Sequence, residues 1–375
     1  MTVFEKSRPE DAAELLDMLN LTFSMAHCPH DFKKVRPQAY LHPETSPAVH
    51  YIAREDGRIR AAVAVYPETV AIGEDALKIG MVGSVSVHPY SEGRGYMKAL
   101  MKMMLEDCDR EFDLTALGGQ RQRYGYFGYQ PLGVTPFYRL NTRNARHALA
   151  DVDASGIRFE EITAETPQWL ACARKLHDAQ PLHVLRPADK FIELATSESN
   201  PFYAVLRGGE MIGYGIGAIH ELVLRTEADL FPVLKAWFAA GRSDAIEMPA
   251  PVYNFARCRA LNLLCESSRV QPNDLFRLNR FARVLDVLLR FKSRYFPLAE
   301  GRVVVAVQGQ PSAIALEVKN GEARACETNE PAQFTYALPD FYRVFLSPAG
   351  AFSPLPLPLQ SWLPLEFAIS HVDFF

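Results

Sequence analysis

The amino-acid sequence predicts a mixed α/β (α+β) chain of three successive units, and three observations carry that prediction. Strand and helix periodicities alternate through the first 150 residues. The alternation restarts near residue 155. From about residue 275 an apolar helix leads into hairpin-linked strands. The expected units are 1–150, 151–272 and 273–375, and 375 residues are enough for two or three domains at roughly 100–200 residues each.

In the first unit Pro9 suits the first position of a helix running to about Ser24, with Ala13, Leu16, Leu19 and Phe23 at helical spacing. Strands at about 49–54 and 58–67 flank Asp56-Gly57, a hairpin signal, and a third strand at about 70–77 leads into one at 78–88. Pro89 stops that strand, and Gly93 and Gly95 form a turn. A helix from Tyr96 to about Asp109 follows, with Met97, Leu100, Met101 and Met104 on one face. Phe112–Leu117 is a buried strand ended by Gly118-Gly119, then come a short helix near 120–126 and a final strand near 130–140. The second unit reads strand, helix, strand, strand, with Gly208-Gly209 as a turn and no glycine-rich phosphate turn. In the third, Phe281, Val284, Leu285, Leu288 and Phe291 line one helical face, Asn320-Gly321 joins two strands, and a proline-punctuated tail runs to Phe375.

Composition narrows the function classes. The hydrophobic share of 48% and charged share of 22% are those of a soluble globular protein, and a net charge of −4 argues against a nucleic-acid partner. Neither a secretory leader nor an apolar run of about 20 residues stands out, so a cytoplasmic protein without a membrane partner is expected. The six cysteines lack paired spacing, which suits reduced thiols. His27-Cys-Pro-His30 has the wrong spacing for a common metal motif, and no metal is expected.

The chemistry concentrates at the glycine turn. A turn that presents free backbone N–H groups at a helix N-terminus can seat a phosphate, and glycines let a pyrophosphate approach that backbone. The pattern meets neither the dinucleotide fingerprint nor the Walker loop.

The segment Glu92-Gly-Arg-Gly-Tyr-Met97, after Val85-Ser-Val87, resembles the coenzyme A loop of GCN5-related N-acetyltransferases (GNAT), Arg/Gln-x-x-Gly-x-Gly/Ala after a Val-x-Val strand. It departs from that pattern at Glu92, a carboxylate in place of a cation or amide, and at Met97, in place of a small residue. The order β-α-β-β-β-α-β-α-β is also that of a GNAT domain. Tyr124-Gly-Tyr-Phe-Gly-Tyr129 is similar to the Tyr-Gly-x-Phe-Gly-Tyr signature of the enhanced intracellular survival (Eis) family within that superfamily. The resemblance covers nearly the whole chain. It implies a GNAT domain, a degenerate GNAT-like second domain, and a C-terminal domain like sterol carrier proteins. It further implies acetyl-CoA as cosubstrate, with Val85, Val87, Glu92, Gly93, Arg94, Gly95, Tyr96 and Met97 at its binding site. Tyr124 would be the general acid and the carboxylate of Phe375 the base. The loop carrying Phe23, His27 and Asp31 would line the acceptor pocket. The acceptor implied is a primary amine of a small molecule or a lysine side chain, and the assembly a homo-oligomer. Glu92 keeps open an alternative, a non-catalytic acyl-CoA or small-molecule binding protein, and the third unit a carrier of apolar ligands.

Overall fold

The computed structural model describes residues 1–26, 28–46 and 48–374. Its first sheet contains β1 (Thr2–Lys6), β2 (Val49–Glu55), β3 (Arg58–Ile72), β4 (Asp75–Val87), β5 (Leu114–Leu117) and β6 (Gln130–Leu132). Strands β1 to β4 form an antiparallel meander, and β4 pairs in parallel with β5. Asp56 and Gly57 turn the β2–β3 hairpin with φ of 49° and 76°, the left-handed region that the expected turn requires.

The third strand expected at 70–77 does not exist separately. β3 runs on through Pro67 to Ile72, and the chain reverses at Gly73 (φ 62°). Pro67 is tolerated because β2 stops opposite Val65, so that edge of β3 carries no ladder at residue 67. The strand expected at 130–140 is broken as well. β6 ends at Leu132 and Gly133 takes φ 111°. Strand Thr135–Asn141 then joins a different sheet, between Ala245–Pro249 and Ser267–Gln271. Gly133 is held there by contact: an added Cβ would lie 2.7 Å from the carbonyl oxygen of Phe367.

Between β5 and β6 lies a strand from far along the chain, Asp274–Leu278, antiparallel to both. Sheet pairing thus crosses both expected boundaries. The remaining sheets are each four-stranded: one from Ile157–Glu161, Phe202–Arg207, Glu210–Ile216 and Glu221–Leu224, and one from Gly301–Val307, Ala313–Lys319, Glu322–Thr328 and Phe334–Tyr336.

The first sheet buries both faces. On one, Val63, Val65 and Val82 pack against Leu100, Met101 and Met104 of helix Tyr96–Glu111. On the other, Tyr66, Val70 and Met81 join Leu15 and Leu19 of helix Ala12–Ala26, the expected apolar face of helix Phe281–Ser293, and the tail residues Leu363, Leu365, Phe367, Ile369 and Phe374. The C-terminal part and the first sheet therefore share one core. Among the described residues, no helix is long and apolar enough to cross a membrane.

Candidate active site

β4 and β5 pair over only three positions, Ile79 with Leu114, Gly80 with Thr115 and Met81 with Ala116. Beyond Met81 they part, while β4 stays bonded to β3 up to Val87. The backbone N–H and C=O groups of Val82–Val87 that face the gap lack a strand partner among the described residues. Such groups are obligatory hydrogen-bonding sites, and an extended ligand can satisfy them. A bulge in the β3–β4 ladder sits at the parting, where Ser84 takes φ 52°. Its Oγ lies 2.6 Å from the Tyr40 hydroxyl and 2.9 Å from that of Tyr66. The two phenols share a 2.6 Å hydrogen bond, and Tyr40 also meets His50 Nε2 at 3.0 Å. Burial raises both phenols and pushes the His50 imidazole down to about 4, so the cluster that holds the bulge is uncharged at neutral pH.

The glycine turn follows. Gly93 and Gly95 have φ of 75° and 77°, and Gly95 is the N-cap of helix Tyr96–Glu111. Among the described residues no side chain caps the helix, so its first-turn N–H groups remain available. A Cβ at either glycine would meet none of the described atoms within 4 Å. The backbone angles demand glycine, and the space above the turn is open. That opening fits a phosphate-bearing molecule seated on a helix N-terminus. Val85 and Val87 are partly buried on the helix side of β4. Glu92 is exposed, and Arg94 pairs with Glu55 of β2. Tyr96 is turned into the core, its hydroxyl 3.2 Å from Thr2 Oγ1, and Met97 is half-buried beside it. Tyr96 and Met97 after the turn, Val85, Val87 and Tyr124 gather around one apolar cluster.

Tyr124 belongs to the short helix Arg121–Gly125 and is 6% exposed. Its ring lies over the end of β5, in space that Gly119 leaves free: a Cβ there would come within 2.6 Å of Tyr124 Cε2. Tyr129 meets it edge to face at 6.4 Å and accepts a 2.8 Å hydrogen bond from Thr115. Burial raises the Tyr124 phenol, with Arg123 pulling the other way, so it carries its proton at neutral pH. Tyr126 is 68% exposed beneath the Lys98 ammonium and points away from this cluster.

The other face of the sheet receives the loop and the tail. Phe23 packs on His30 and Phe32, with ring centroids at 5.3 and 4.9 Å. Asp31 caps the helix Phe32–Val35 by accepting from Lys33 N at 3.1 Å. His27 and Phe375 lie outside the described residues. The described end of the tail is anchored at two residues. Phe374 meets Phe276 edge to face at 6.0 Å. Asp373 is buried and accepts two hydrogen bonds from Arg186, at 2.7 and 3.0 Å. Arg186 is itself fully buried and also donates to both oxygens of Glu221, at 2.9 and 2.7 Å. Burial opposes ionisation of Glu221, but the guanidinium outweighs it and holds the carboxyl down at about 2. Burial raises Asp373.

Sequence reasoning missed four groups here. Arg186 and Asp373 are 187 residues apart. Glu68, half-buried on the Tyr66 face of β3, is pushed up to about 8 by burial, with Asp373 adding to the shift. Asp274 opens the strand inserted beside β5, where its carboxylate oxygens lie 3.9 Å from the position a Cβ on Gly118 would take. No local motif marks any of them.

Residues 4–132 match the acetyltransferase (GNAT) domain family, a segment that holds β1 to β6 and the glycine turn. The likeness of the whole chain reaches further. It aligns over 100% of its length with 100% of a conserved protein from Enterococcus faecalis described as a probable N-acyltransferase, at TM-score 0.72 and 15% identity. A GCN5-related N-acetyltransferase from Anabaena variabilis aligns equally completely at 0.69, and Eis1 from Mycobacterium abscessus at 0.66, each at 15% identity. The chain thus shares its fold with these structures over its whole length. No curated protein matches its sequence.

Proposed function

We propose that this protein is an acetyl-CoA-dependent N-acetyltransferase that passes an acetyl group directly to a primary amine, of a small molecule or of a lysine side chain. The observation that carries the reading is the parting of β4 from β5 beside an uncapped helix N-terminus on a GNAT domain. Gly93, Gly95 and the first turn of the following helix would hold the pyrophosphate, and the open edge of β4 at Val85 and Val87 the pantetheine arm. Acetyl-CoA brings the activated acetyl thioester. Tyr124, protonated and shielded from water, donates its proton to the leaving sulfur. The carboxylate of Phe375 takes the proton of the attacking amine, and the Arg186–Asp373 contact fixes the chain two residues before it.

The test is thiol release from acetyl-CoA across a panel of polyamines, amino acids, lysine peptides and aminoglycosides. Amine-dependent release is expected, and Tyr124→Phe should slow it by about 100-fold or more while coenzyme A affinity stays within about twofold. Exposed Glu92 favours a second reading, an acyl-CoA binder without turnover. Coenzyme A binding with no release for any amine would establish that reading instead.

A further inference from the structure

We propose that Asp274 is the carboxylate that holds an ammonium group of the acceptor. The inference rests on the acetyl-transfer reading and adds to it a specificity-determining residue. Asp274 reaches the site because its strand is inserted beside β5. Along that strand Leu275 packs on the coenzyme side of the sheet, with Tyr124, and Phe276 on the tail side, with Phe374. Alternation puts Asp274 on the tail side with Phe276. Its oxygens border the open Cβ position of Gly118, and Tyr124 borders that of Gly119. The phenol and this carboxylate therefore flank adjacent glycines from opposite faces of the sheet, just past the end of β5. An amine held at Asp274 would approach a thioester held near Tyr124 around that strand end.

Asp274 also lines a cavity of about 400 Å³, together with Phe374, Ser370 and His371 of the tail. Other carboxylates on that cavity already make ion pairs: Glu221 and Asp373 share Arg186, and Glu247 meets Arg269. Among the described residues, Asp274 meets the Leu275 N–H and the field of His371 but makes no ion pair with lysine or arginine. Burial pushes its carboxyl up to about 6. A half-buried carboxylate without a counter-ion costs free energy, and a bound ammonium would offset that cost.

The experiment compares wild type, Asp274→Asn and Asp274→Glu, using spermidine as acceptor. In Asp274→Asn the KM for spermidine should rise about 10-fold or more, that for acetyl-CoA should stay within about twofold, and Asp274→Glu should recover most of the loss. An unchanged spermidine KM in Asp274→Asn overturns the inference and leaves acetyl transfer standing. If wild type turns over no amine, the acetyl-transfer reading fails, and calorimetric titration of spermidine decides Asp274 separately. Binding by wild type that Asp274→Asn loses sustains the assignment. Equal binding by both, or none by wild type, overturns it.

Discussion

Gly119 and Tyr124 occupy one volume between them, since the ring fills the place of the missing side chain. With φ at 143°, alanine at 119 would be strained as well as crowded. Gly119→Ala should displace the phenol and lower kcat roughly 100-fold with coenzyme A affinity retained, as parallel kinetics and titration would reveal. Glu68 makes a different prediction. Its folded pKa, about 8, lies above the ordinary value of 4.5, so its contribution to stability is complete below pH 4.5 and is lost as pH rises towards 8. Gln at this position does not titrate. Between pH 5 and pH 8, Glu68→Gln should gain on wild type by on the order of 2 kcal/mol, after allowance for the partial exposure of the group, in denaturant melts at the two pH values. At this scale the sequence was informative where chemistry is local. Gly93, Gly95 and Tyr124 sit in a short frame whose spacing can be read. Glu68 and Asp274 owe their properties to burial by distant segments, which no spacing records.

The tail is the element whose behaviour is least local. Leu363, Leu365, Phe367 and Ile369 alternate into the shared core, and Ser370 caps the last turn by accepting from Val372 N at 3.4 Å. Arg186 then holds Asp373 while paired with Glu221: one cation faces two anions. Removing Asp373 leaves a matched, neutral pair, whereas removing Arg186 strands two buried carboxylates. Asp373→Asn should accordingly cost little global stability yet free the last residues, so that carboxypeptidase Y releases Phe375 and Phe374 faster than from wild type. Arg186→Met should lower stability by about 3–5 kcal/mol. A thermal melt beside the digestion separates the two effects. The sequence marked a proline-punctuated tail, and the family resemblance implied that its end enters the site. Its partner could not be read, because Arg186 follows a short strand, Leu182–Val184, that itself pairs with the far end of β3. Hairpins were legible for the opposite reason. Asp56-Gly57 and Asn320-Gly321 need positive φ, and their strands are neighbours in the chain.

At the scale of the whole molecule, the three segments interlock. Strand Thr135–Asn141 leaves the first sheet for a neighbouring one, and strand Asp274–Leu278 comes back to complete it. The periodicities gave the elements and their order, but pairing across more than a hundred residues depends on which edges remain open after local folding. A chain ending at residue 150 would lack the strand beside β5 and the helix and tail that cover one face of the sheet. It should therefore show no cooperative thermal transition by circular dichroism, although it contains the entire segment that matches the GNAT domain family.

The inserted strand also sets a timetable for biosynthesis. When residue 132 leaves the ribosome, β6 exists but its partner has not been made, and residues 133–273 must be translated before Asp274 appears. At about 5–20 residues per second, that interval is on the order of ten seconds. Throughout it the nascent sheet offers an apolar face and the free edge of β5 to any chain nearby. The protein's exposure to chaperones and to aggregation thus opens in the middle of its synthesis: the arrival of one five-residue strand closes the edge, and the helix and tail made after it cover the face.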